Sequence, residues 1–164
     1  MAHGVRDQPD QRADGGDGGD AERETKYYRE AAAADPSWGG ALFNLALSER
    51  RRGLWAEALA TATLAVQREP EPPYLVLRAL VNEALDDTPA RDADLARALG
   101  AFGPASALDD FSLGWLVTAC RMSGDAPRLR AAEAEQKERA RARPGLLPDG
   151  GLLPDLAPAL AVAN

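Results

Sequence analysis

A chain of 164 residues with a formal net charge of −7 is long enough for one domain and short for two. Its acidic balance argues against phosphate backbones and anionic lipid as partners, since both are recognised through local positive charge. One cysteine, Cys120, excludes an internal disulfide, and one histidine, His3, leaves histidine–carboxylate zinc sites and Ser/His catalysis without an essential residue.

Residues 1–20 contain "DQPDQRADGGDGGD" and almost no apolar side chain larger than Val5. Such a stretch cannot bury enough surface to offset its ordering entropy, so a disordered acidic tail is expected. "GGDGGDAE", Gly15 to Glu22, resembles one calcium-binding nonapeptide, but such sites need tandem copies and a large apolar residue where Glu22 stands. "MAHGVRDQPD" lacks the apolar stretch of a secretory signal, and no run approaches the ~20 residues of a membrane span. A soluble, cytoplasmic protein is expected. Lysine occurs only at Lys26 and Lys137 against many arginines, which suggests a GC-rich, bacterial genome.

"ERETKYYREAAAADP" predicts a helix stopped at Asp35-Pro36, because proline lacks the amide donor and clashes with the preceding turn. "WGGALFNLALSERR" predicts the next helix, with Leu42, Leu45 and Ala46 on one face and Phe43 and Leu47 on its neighbour. Two apolar faces imply packing on both sides. Gly53 ends that helix in the left-handed conformation glycine tolerates. "LWAEALATATLAVQRE" resumes with Leu54, Ala58, Ala62, Ala65 and Val66, and the small alanines allow close helix approach. Further on, "DDTPARDADLARAL" offers Thr88 as N-cap and Pro89 in the first turn. Cys120 lies in the apolar run "LGWLVTAC" and reads as a buried small hydrophobe ahead of a nucleophile. Arg128, Arg130, Lys137, Arg139, Arg141 and Arg143 form a basic stretch. It is interleaved with Glu133, Glu135 and Glu138, as on a solvated helix face rather than a nucleic-acid surface.

The helix-ending prolines Pro36, Pro70 and Pro104 are spaced by 34 residues. At that offset Phe43 aligns with Leu77 and Phe111, Leu45 with Ala79 and Leu113, and Leu47 with Val81 and Trp115. Ala31 aligns with Ala65 and Leu99, and Tyr28 with Ala62 and Ala96. Helix–turn–helix units with a small residue early in the second helix, alanine later and proline at its end resemble the tetratricopeptide repeat (TPR) family. The best-matching unit, 39–72, carries Gly53, Ala58, Ala65 and Pro70; the next has Asp92 where the small residue belongs. Gly124 lies 71 residues after Gly53, so three extra residues are expected between the helices of the last unit. A Sel1-type relative, with a slightly different period, carries the same functional implication; a four-helix bundle would not need the period.

The resemblance implies an all-α fold: a short α-solenoid of antiparallel helix pairs, about three repeats plus caps, over residues 21–143. The first unit keeps only its second helix, expected as an N-terminal cap. Residues 144–164 repeat "GLLPDG" and "GLLPDL"; they are expected to cap the open end of the stack, or alternatively to lie in the groove.

No phosphate-binding loop or dinucleotide fingerprint is present, and the expected function is non-catalytic, with no cofactor and no metal site. In this family the first helices line a concave groove that holds an extended peptide or a partner helix. Phe43, Leu77 and Phe111 would form one row, Leu47, Val81 and Trp115 a second, and Asn44, Arg78 and Ser112 a third. For the two apolar rows the core is an equal alternative. Asn44 and Arg78 match two positions of a clamp with which some members hold a peptide carboxylate, a guanidinium pairing with it bidentately; an exposed Arg78 paired with a local carboxylate is the alternative. Tyr74 stands where that clamp has a lysine, which disfavours chaperone tails as ligands. The expected partner is a protein or peptide, neither nucleic acid nor membrane; homo-oligomer formation through the tail or the first helix is the alternative.

Overall fold

The computed structural model describes residues 18–142, and several helix boundaries have a local chemical cause. The elements are α1 (Gly18–Ala34), α2 (Gly39–Arg51), α3 (Trp55–Arg68), α4 (Pro72–Ala84), α5 (Thr88–Ala101), a single 3₁₀ turn (Ala105–Ala107), α6 (Asp110–Ser123) and α7 (Ala126–Ala142). The described residues are all-helical and pack in adjacent pairs, as a short helical-repeat solenoid requires. Helix α1 begins at Gly18, inside the stretch expected to be disordered. The expectations for residues 1–17 and for the tail 144–164 lie outside the described residues.

The α1–α2 stop is built by Asp35. Its carboxylate accepts from the Ser37 N–H at 3.1 Å and the Ser37 hydroxyl at 2.6 Å, bonds that hold it below the usual carboxylate range. Within each pair the turn is the same. Leu54, Asp87 and Asp125 each donate their N–H to a carbonyl five residues back, on Glu49, Asn82 and Cys120. The residue before each donor is left-handed: Gly53 at φ 72°, Asp86 at φ 59° and Gly124 at φ 75°. Asp87, not Thr88, is the N-cap of α5, its carboxylate accepting the Ala90 N–H at 3.1 Å; Thr88 is the first helical residue.

These turns correct the register. Gly53, Asp86 and Gly124 are spaced by 33 and 38 residues, and the starts of α2, α4 and α6 keep the same intervals. The prolines gave 34 because they mark the connections between pairs, whose lengths differ. The extra residues of the last unit lie ahead of α6, in the connection 102–109 that holds the 3₁₀ turn; the α6–α7 turn is only Gly124 and Asp125. Burial agrees: Ala65 and Ala62 of α3 correspond to Ala98 and Leu95 of α5, all buried, whereas Ala96 is exposed.

Each helix packs on the next, and the first helices α2, α4 and α6 also meet one another along one side. Phe43, Leu47, Leu75, Leu77, Leu113, Trp115 and Leu116 form the heart of the core. Each such side chain contributes about 1.5–3 kcal/mol by leaving water. Helix α1 docks on α2 through Tyr28 and Ala32, a buried Thr25–Ser48 hydroxyl bond of 2.8 Å, and an Arg51–Glu24 ion pair of 2.9 Å.

Candidate functional site

The first helices bring four aromatic rings to one point. Phe43 of α2 stacks on Tyr74 of α4 at 4.8 Å between centroids, and meets Phe111 and Trp115 of α6 edge-on at 5.8 and 5.4 Å. A single ring of α2 thus touches both later first helices. The inner side of the stack is filled at this point, where the family resemblance implied an open groove.

This arrangement sorts the expected contact residues. Phe43, Leu47, Leu77, Val81 and Trp115 are buried core, so in this arrangement none offers its side chain to a peptide. The core alternative applies to these five, because α2, α4 and α6 approach closely enough to cover them. Asn44 and Tyr74 are half-buried, and Phe111 is 44% exposed. The third row does not exist: in the 33-residue register Asn44 corresponds to Leu77, and Arg78 to Leu45.

Arg78 is also unavailable as an anion clamp. Its Nε and Nη2 donate to the two carboxylate oxygens of Asp94 on α5 at 2.7 and 2.6 Å, a bidentate pair that raises the guanidinium pKa further. Asn82 donates to the same carboxylate at 3.5 Å. The Arg78 charge is spent inside the fold.

A cleft of about 320 Å³ opens between the start of α4, the end of α5 and the start of α6. Pro72, Pro73, Tyr74, Phe102, Leu108 and Phe111 line it, with Ser112 and with Glu71 as the only charged lining residue. Glu71 is the N-cap of α4 through its backbone, but its side chain makes no capping bond. Tyr74 links the cleft to Glu69, donating its hydroxyl to Glu69 at 3.4 Å. Burial first, then the charges of Glu69 and Glu71, push that phenol up to about 12. Glu71, Pro72, Pro73 and Leu108 were not among the expected contact residues. The run "REPEPPY" carried the signal, a proline pair flanked by carboxylates at a helix start.

Other candidate groups are accounted for by the fold. Burial raises the Cys120 thiol to about 11, so it stays protonated and inert at neutral pH. Arg139 pairs with Asp110 and Glu135, Arg141 with Glu138, and Arg128 donates to the carbonyls of Leu99, Phe102 and Gly103. Among the described residues no cluster of His, Cys, Asp and Glu could hold a metal ion, and no helix is long and apolar enough to cross a membrane. Comparison with known proteins finds no matching family model and no matching curated relative.

Proposed function

We propose that the chain is a non-catalytic interaction module of the tetratricopeptide-like kind, which docks a segment of another protein in the cleft beside Phe111. The observation that carries this reading is the cleft itself. Beside the four-ring cluster an exposed phenylalanine, a half-buried tyrosine and two prolines border open space. Paired helices of this size supply a rigid frame, and the four-ring cluster fixes Tyr74 and Phe111 from behind. The reading for a cytoplasmic protein partner rests on the acidic charge and the family resemblance.

A photo-crosslinking amino acid placed at position 111 tests it in native lysate. A protein partner cross-linked from 111, and not from Leu64 on the exposed side of α3, is the expected result. Equal labelling from both positions, or none from 111, rejects the cleft as the docking place. Self-association is the second reading, favoured by Tyr27 and Trp38, which are 66% and 52% exposed at the α1 end. The same probe at position 38 would then join two copies of the chain.

A further inference from the structure

We infer that the cleft is selective for a cationic side chain, an arginine or lysine presented by an extended partner segment. The inference rests on the cleft being the docking place and adds what it prefers. Glu71 is the only charged residue lining it, and its carboxylate has no ion-pair or hydrogen-bond partner among the described residues. Glu69 adds a second negative charge next to Tyr74. Of the arginines whose partners border the cleft, Arg128 is held by the carbonyls of Leu99, Phe102 and Gly103, and Arg139 by Asp110 and Glu135.

The backbone points the same way. A helix N-terminus ordinarily attracts anions through its free N–H groups. Helix α4 begins with Pro72 and Pro73, which have no N–H to offer, so the positive end that would favour an anion is blunted where the cleft opens. The rings of Tyr74 and Phe111 can then accept the alkyl stem and the face of a guanidinium while the head reaches Glu71. A volume of about 320 Å³ is at the small end for a ligand pocket, and suits one or two side chains rather than a folded surface. Residues 144–164 contain Asp149 and Asp155 and neither lysine nor arginine, so the chain's own tail has the wrong sign for this place.

A randomised peptide library displayed on phage, selected against the full chain, reads the preference directly. The expected peptides share a basic residue beside an apolar one, and their affinity falls about fivefold or more for Glu71→Gln. Glu71 makes no side-chain capping bond, so this variant keeps the fold. Phe111→Ala and the cleft-filling Ser112→Trp should weaken the same peptides. Peptides that lose affinity to the Phe111 and Ser112 variants but bind Glu71→Gln unchanged, or that share no basic residue, overturn the charge preference and leave the docking place intact. Peptides that bind all three variants equally, or no enrichment at all, count against the docking place too. Displacement of the selected peptides by a synthetic 144–164 peptide would also overturn the inference, because an uncompensated acidic segment would then fit as well.

Discussion

The first two helix pairs put different chemistry at the same point of the fold. In the pair α2/α3 the site between helices holds Glu49 and Thr61; in α4/α5 it holds Asn82 and Asp94, with Arg78 beside them. The pair α6/α7 has Cys120 and Ala132 there, both buried. Asp94 is satisfied: a bidentate guanidinium and an amide reach its two oxygens. Glu49 is not. Arg29 stands 3.7 Å away, yet Oε2 has no hydrogen-bond partner, and burial raises its pKa above the ordinary value. A buried charge is tolerated only when its partners replace the water it gave up, and of these two carboxylates only Asp94 has them.

Breaking the satisfied site has the largest expected effect. Asp94→Ala leaves the Arg78 guanidinium, 17% exposed, without its partner and should cost about 3 kcal/mol in urea unfolding. Replacing both, Arg78→Leu with Asp94→Thr, transplants Leu45 and Thr61 from the first pair and should lie within about 1 kcal/mol of the natural chain. A double variant as damaged as Asp94→Ala would show that the ion pair contributes more than its own desolvation takes away.

The unsatisfied site sharpens the contrast through pH. Because the Glu49 pKa is raised on folding, the folded chain holds that proton to higher pH than the unfolded chain. Stability from this group is therefore present at low pH and is lost as pH rises from the unfolded value through the folded one. Glu49→Gln should raise the melting temperature at neutral pH, with a gain that shrinks on acidification below the ordinary glutamate range. A loss at neutral pH would assign a stabilising role to the Arg29 contact instead, and a gain independent of pH would rule out the raised titration as its cause.

The smallest expected effect lies in the turns. Asp86 holds the left-handed position that glycine holds in the other two pairs. An L-residue there is strained while glycine is not, so Asp86→Gly should gain about 0.5 kcal/mol, and Gly53→Ala should lose at least that much.

The same aspartate shows why the architecture was legible in the sequence and its register was not. Proline stops, a left-handed glycine and buried alanines are local signals, and they placed the helix pairs correctly along the chain. The register is set by the turn inside each pair. In the middle pair that turn carries Asp86 where a glycine would have marked it, so the prolines were left to define the period and shifted it by one residue. The site suffered more. Whether an apolar row faces a groove or a core depends on how closely α2, α4 and α6 approach, which no single helix records. The partner of Arg78 lies sixteen residues away on another helix, and helical spacing gives no sign that Asp94 faces it.

Glu69 carries a consequence of another kind. At the end of α3 it reaches back to accept the Gly39 N–H at the start of α2, 3.2 Å away, and it packs so tightly that a Cβ on Gly39 would fall 2.8 Å from its carboxyl carbon. The turn at Gly53 joins one end of this helix pair and the Glu69 carboxylate pins the other. Two helix ends that would ordinarily fray on their own are thereby made to open together, and the amides of the first turn of α2 should exchange with solvent on the timescale of the last turn of α3.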